Sequence, residues 1–288
     1  KNIRKIILQD INSIINNKIN EESTSIHKEI DDYRKDFEYY PDVYDDNFIE
    51  ILSKKKEFWI HRYKEDMKSI DTKCNRDYFE LAPHQMFLKN YISHISPYRS
   101  LLIFHGVGVG KTCSGITIAE NFKDIYASKE KRIIILAKEL IQIGWKKNIY
   151  DPNKSDNQCT GTTYASSDTF SEDVSRRSPS EKRTKKKINT YYELHPYASF
   201  ANSVKRYLTK NLQHIDPSNI DEYTQKESQL IKEKYSNRVL IIDEVHNVRT
   251  NSSSPTQERD TLIYLEKVIE YSHNLTLILL TANPMYNL

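Results

Sequence analysis

A chain of 288 residues with 43 Lys and Arg against 40 Asp and Glu carries a formal net charge of +3, too small for global attraction alone to argue a nucleic-acid partner. Hydrophobic residues at 38% and charged residues at 29% describe a soluble, rather polar protein, on the order of one large domain plus an appendage by length. No apolar run approaches the ~20 residues of a membrane span, and the opening residues show no signal-peptide pattern, so neither feature is expected. Cys74, Cys113 and Cys159 are odd in number and lack metal-ligand spacing, which fits a reducing compartment.

Residues 1–77 contain no glycine and place Ile6, Ile7, Ile11, Ile14 and Ile15 at helical spacing, so this extension is expected to be mostly helical. Within it, "KKKEFWIHRYKEDM" predicts one amphipathic helix on which Phe58 and Trp59 pack while the Lys54–Lys56 run stays solvated. From about residue 78 the pattern changes. Short apolar stretches, "SLLIF", "RIIILA", "INTYYEL", "RVLIID" and "LTLILL", alternate with helical segments. Such alternation predicts an α/β domain over 78–288, with a mainly parallel sheet flanked by helices.

The first strand runs into "FHGVGVGKT", residues 104–112, which holds three of the chain's six glycines. Glycine is needed where backbone turns through positive φ or approaches a ligand closely, and successive amides can cradle phosphate oxygens only where no Cβ intervenes. The segment after the loop carries Thr112, Ile116, Ile118, Ala119 and Phe122 at helix-like spacing, so its N-terminus adds a favourable dipole for an anion. Gly106, Val107, Gly108, Val109, Gly110, Lys111 and Thr112 are therefore the predicted phosphate-binding residues. His105 stands where the usual pattern has its first glycine. A chance glycine-rich turn is the plain alternative, disfavoured by the flanking strand and helix.

Residues 151–187 are rich in Ser, Thr, Asp and Lys and are expected to be an exposed insertion. Its end, 176–187, holds seven Lys or Arg against Glu181 alone; such a loop suits either a polyanion or mere solubility. Further on, "RVLIIDEVHNVR" ends an apolar strand in Asp243 and Glu244, at the sheet edge where open α/β folds bind ligands. Asp243 with Thr112 can hold Mg²⁺ through its water shell, and Glu244 can orient and deprotonate an attacking water.

These segments together resemble the first RecA-like domain of a superfamily 2 helicase, with "GVGVGKT" as motif I, "DEVH" as motif II and "TANP" as motif III. In "ELAPHQMFLKNYI", Gln85 matches the family's adenine-reading glutamine, and "RIIILAKELIQIGWKK" is similar to motif Ia and the helix after it, where a tryptophan follows the strand. "QCTGTTY", "YYELHPYASFAN", "YSNRVLIIDEVHNVR" and "LLTANPMYN" are similar to segments of the helicase-like ATPases of large cytoplasmic DNA viruses, of the early transcription factor small subunit and nucleoside triphosphatase I type. The likeness covers about residues 78–288. His105 departs from the usual Ala or Gly, and Asn283 from the usual Thr of motif III.

What the resemblance implies is an ATP hydrolase that uses Mg²⁺, with Glu244 and Lys111 catalytic and with His246, Thr281 and Ala282 coupling hydrolysis to movement. In this family ATP sits between two RecA-like domains, and the second supplies arginine fingers worth ~10³–10⁵ in rate. The chain is thus expected to be the front half of a longer enzyme and weakly active alone. Motifs Ia and Ib point to Lys138, and to Ser199, Asn202 and Lys205, as contacts to a DNA or RNA backbone. Tyr191, Tyr192, Tyr197 and Phe200 suit base stacking or, more simply, the core. Two functions stay open: an ATP-driven helicase or translocase in viral transcription, and a nucleotide-gated interaction subunit that holds a viral polymerase, transcription factor or virion component. The expected setting is the host cytoplasm, with packaging into the virion as a further option and no membrane partner.

Overall fold

The computed structural model describes residues 40–62, 79–106, 108–126, 131–154, 157–164, 185–216, 218–248 and 255–282. The isoleucine stripe at positions 6–15 and the basic residues of 176–184 lie outside them. The chain divides into two units between Lys55 and Lys56. In the first, α1 (Phe48–Lys54) closes with a Glu50–Lys54 pair one turn apart.

The second unit opens on α2 (Lys56–Trp59). The single amphipathic helix predicted across "KKKEFWIHRYKEDM" is thus corrected: α1 stops at Lys54, and Lys55 is extended (φ −66°, ψ 136°). Phe58 is buried against Phe87 with ring centroids 4.9 Å apart, but Trp59 is 52% exposed and carries the Arg62 guanidinium over its ring. Neighbouring helix residues point about 100° apart, so so short a helix offers its partner one of the two rings. The helix α3 (Pro83–Tyr91) follows, with Pro83 in its first turn, where a missing N–H costs nothing.

Five strands form one all-parallel sheet: β1 (Ser100–Phe104), β2 (Ile133–Leu136), β3 (Tyr192–His195), β4 (Val239–Ile242) and β5 (Thr276–Thr281), in the spatial order β1-β5-β4-β2-β3. Its helices are α4 (Lys111–Glu120), α5 (Glu139–Ile149), α6 (Tyr197–Leu212), α7 (Ile220–Tyr235) and α8 (Thr256–Tyr271), with a 3₁₀ turn over Val245–Val248. From β1 through β2 to β3 the chain advances across the sheet, then returns through β4 to β5. Right-handed crossovers put the helices of an advance and of a return on opposite faces, and the packing agrees. Ile134, Leu136, Leu240 and Ile242 join Phe200, Val204, Leu208, Ile231, Leu265 and Val268 of α6–α8 in one core cluster. On the other face Gly115 of α4 meets Trp145 of α5, Ile241 and Leu280. The runs "IIIL" and "VLII" are buried at every position because the sheet is covered on both sides.

The strand predicted from "INTYYEL" is shorter than expected. Residues 185–191 are helical, and only Tyr192–His195 pairs, each residue opposite one of the four in β2. A four-residue neighbour offers no ladder partners further upstream, so the preceding backbone satisfies itself as helix. The early part of the polar insertion is also less exposed than expected. Gln158 and Tyr164 are buried, the Tyr164 hydroxyl donates to Glu120 at 2.7 Å, and Cys159 forms a disulfide with Cys113 across a Cα separation of 5.5 Å. That bridge ties the residues 157–164 to α4, a pairing that spacing does not reveal and that departs from the reducing compartment suggested by the cysteine count. Among the described residues no helix is long and apolar enough to cross a membrane.

Helix α4 approaches the sheet closely enough that a Cβ on Gly115 would sit 3.3 Å from the Trp145 ring and 3.4 Å from Leu280. Gly115→Val is therefore expected to lower stability by ~1–3 kcal/mol, the usual cost of overpacking. Urea denaturation checks this, and an unchanged midpoint would mean that helix and sheet part without cost.

Candidate nucleotide site

The phosphate loop leaves β1 at Phe104 and re-enters helix at Lys111. Gly108 and Gly110 sit at φ +84° and +83°, in the left-handed region that side chains other than glycine's enter at a cost. A Cβ on Gly110 would also lie 2.7 Å from Gln85 Nε2, so a side chain there would displace that amide. The Lys111 ammonium donates to the carbonyls of His105 (2.9 Å) and Gly106 (3.1 Å), folding back over the loop it follows. Val109 is exposed, and Val107 lies outside the described residues.

Gln85, the expected adenine reader, is buried at the start of α3. Its Oε1 accepts from the Ala82 N–H (2.9 Å) and its Nε2 donates to the Gly110 carbonyl (3.2 Å), which ties the helix start to the loop. Beside it lies a cavity of about 260 Å³ lined by His61, Arg62, His84, Phe87 and His105. The His84 and His105 rings stand edge to face with centroids 5.2 Å apart. Burial, then the charges of His84 and Lys111, push His105 below the usual histidine range. Only His105 of this group is visible in the sequence as a departure from a pattern; the rest come from separate segments.

Asp243 and Glu244 follow β4 at the same edge of the sheet, with β5 lying between that strand and β1. Burial raises the Asp243 carboxyl above its ordinary range and the Glu244 charge adds to this, while the Trp145 hydrogen bond and Lys111 work in the opposite direction. Because β1, β5 and β4 are adjacent and parallel, the loop after β1 and the carboxylates after β4 leave the same edge of the sheet. Glu244 adopts φ +45°, rare for a side chain of its size, and this turn aims its carboxylate back across the sheet edge. Oε2 accepts from the Ala282 N–H (3.3 Å) and lies 3.3 Å from His246 Nδ1, which is in turn 2.9 Å from Thr281 Oγ1. The coupling residues named from the motifs, His246, Thr281 and Ala282, thus form one chain of contacts that runs from Thr281 through His246 and Glu244 to Ala282. Asn283 and Pro284 lie outside the described residues.

Asp243 and the half-buried Thr112, at the head of α4, are hard oxygen donors beside a phosphate loop, a donor set that fits Mg²⁺. Two such ligands suit an ion that keeps most of its water and shares phosphate oxygens; among the described residues no group of three His, Cys, Asp or Glu is gathered as an all-protein cage.

Lys138 caps the start of α5 and is exposed. Ser199, Asn202 and Lys205, with Arg206 and Gln257, line one open groove of about 550 Å³, and Lys205 pairs with Asp260 at 2.8 Å. Tyr192 and Phe200 are core residues, 1% and 2% exposed. Two residues have partners that their place in the chain does not announce: Trp145, whose indole donates to Asp243 Oδ2 at 2.8 Å, and Tyr197, whose hydroxyl donates to the Asp243 carbonyl. Both contacts cross long stretches of sequence, and spacing carries no signal for them.

A glycine loop after one strand and an Asp-Glu pair after another, at one edge of a parallel sheet with a third strand between, define a RecA-like P-loop domain. Residues 78–285 match the family described as "Type III restriction enzyme, res subunit", and the chain belongs to that family, as a superfamily 2 helicase-like domain. It is 30% identical over 271 residues to "Putative ATP-dependent RNA helicase L377" of Acanthamoeba polyphaga mimivirus, covering 86% of this chain and 22% of that protein. It is 28% identical over 259 residues to "Putative ATP-dependent RNA helicase R563" of the same virus, covering 86% and 37%, and 25% identical over 209 residues to "Putative helicase 087L" of Invertebrate iridescent virus 3, covering 72% and 19%. The chain spans between about a fifth and two-fifths of the length of these relatives.

Proposed function

We propose that this chain is the nucleotide-binding half of an ATP-driven helicase or translocase, acting on DNA or RNA in viral transcription in the host cytoplasm. The observation that carries the reading is that the loop bearing Lys111 after β1 and the carboxylates Asp243 and Glu244 after β4 leave one edge of a parallel sheet, where His246 and Ala282 contact Glu244 and Thr281 contacts His246. In it the amides of 106–112 and Lys111 cradle the phosphates and Gln85 lies on the adenine side. Thr112 and Asp243 would hold Mg²⁺, which would supply charge neutralisation at the phosphates. Glu244 takes the proton of the attacking water, and its contact with Ala282, and with His246 on to Thr281, carries its state toward the segment that follows β5. A second RecA-like domain supplies the arginines, a place for which the greater length of the relatives leaves room. The groove of Ser199, Asn202 and Lys205, together with Lys138, tracks the nucleic-acid backbone.

ATP hydrolysis by the full-length protein is expected to rise when single-stranded DNA or RNA is added, and the stimulation to fall steeply with salt, each phosphate contact contributing ~0.7–0.9 to the logarithmic slope. Deleting residues 176–187, seven basic and one acidic, removes six net positive charges and flattens that slope if the segment lies along the strand. Lys138→Ala reduces the stimulation. An ATPase rate indifferent to every DNA and RNA at low salt, with nucleotide affinity intact, would overturn the motor and leave the nucleotide-gated interaction subunit.

A further inference from the structure

Asp243 is gripped from two sides by aromatic hydrogen-bond donors. From α5, the Trp145 indole N–H reaches Oδ2 at 2.8 Å, with the whole ring buried. From the first residue of α6, the Tyr197 hydroxyl reaches the backbone carbonyl of Asp243 at 2.5 Å. The same indole is wedged under α4, where a Cβ on Gly115 would lie 3.3 Å from it, beside Ile241 and Leu280. The ring therefore lies against the phosphate-loop helix and is bonded to the carboxylate itself. It cannot shift without disturbing one of them.

We propose that Trp145 and Tyr197 are positioning residues for the divalent cation, holding the Asp243 carboxylate and backbone in the arrangement that the cation requires. This rests on the reading of Asp243 as a magnesium residue given above. An indole N–H is a donor with no acceptor capacity, so it anchors the carboxylate at Oδ2 and fixes its plane, leaving lone pairs of the carboxylate for a cation or its bound water. Without that donor a buried carboxylate would face desolvation with less compensation and rotate more freely. The Tyr197 bond fixes the peptide between Asp243 and Glu244, and hence the two carboxylates relative to one another. Outer-shell partners of this kind typically change metal affinity by ~10–100-fold when removed.

The test uses the whole chain carrying Trp59→Phe, which removes the half-exposed second indole and leaves Trp145 as the single tryptophan. Magnesium chloride is titrated at saturating ADP while Trp145 emission is followed, and the midpoint is read in parallel from a fluorescent N-methylanthraniloyl-ADP. The expected result is a saturable change in emission with the same midpoint in both signals. Trp145→Phe keeps a ring and loses the N–H, and is expected to raise the Mg²⁺ midpoint ~10–100-fold; Tyr197→Phe moves it in the same direction. Midpoints indistinguishable from the parent's, whatever the melting temperatures, would make both residues structural only and overturn the proposal. Should Trp145→Phe fail to fold, Tyr197→Phe and the parent's emission decide, and an emission blind to Mg²⁺ with an unmoved Tyr197→Phe midpoint overturns it. A parent chain that binds no nucleotide at any Mg²⁺ concentration overturns the nucleotide site itself and this proposal with it, an outcome told apart from the others by the silent nucleotide signal.

Discussion

Glu244→Gln in the full-length protein is expected to retain Mg²⁺-nucleotide binding and to slow turnover by ~10²–10⁴-fold, the usual range for a lost general base. Glutamine keeps the length of the side chain and an oxygen that can accept from the Ala282 N–H, so the contact at 3.3 Å survives. The backbone at φ +45° costs glutamine no more than glutamate. What disappears is the charge that takes the proton of the attacking water, so single-turnover hydrolysis is the measurement that isolates the step. Equal losses in nucleotide affinity and in turnover would instead make Glu244 a metal ligand or a structural residue.

Lys111→Ala is expected to cost ~10²–10³-fold in hydrolysis, as for the removal of one preorganised donor aimed at developing charge, together with a marked loss of triphosphate affinity. Its ammonium at present bridges the carbonyls of His105 and Gly106, two acceptors of the loop itself. Phosphate oxygens would draw it from these acceptors, and its remaining influence is a charge that favours the ionised form of the buried Asp243. Stability should accordingly change by no more than ~1 kcal/mol, the centre of the range for single substitutions. Thermal denaturation separates the two effects, and unchanged ATPase activity would remove the phosphate loop from the mechanism.

The sequence by itself determined the class of the domain, and the reason is local. A strand, a run of glycines at alternate positions and Lys-Thr at a helix start are consecutive in the chain, and the left-handed φ at Gly108 and Gly110 is a demand that glycine spacing declares openly. Strand-terminal Asp243 and Glu244 are equally local, since a buried apolar run must end at a sheet edge. Where a signal depended on pairing, it blurred. The helix-to-strand boundary at Tyr192 follows from the four-residue length of β2 in a different segment, and the break at Lys55 divides what periodicity joins. Only the tertiary structure decided that Trp145 and Tyr197 hold Asp243, that Gln85 ties its helix to Gly110, and that Cys113 meets Cys159. Each of these is a hydrogen bond or bond between residues from separate segments of the chain. Such contacts exist because the parallel sheet gathers the ends of distant strands at one edge, and no spacing along the chain encodes which side chains will face each other there.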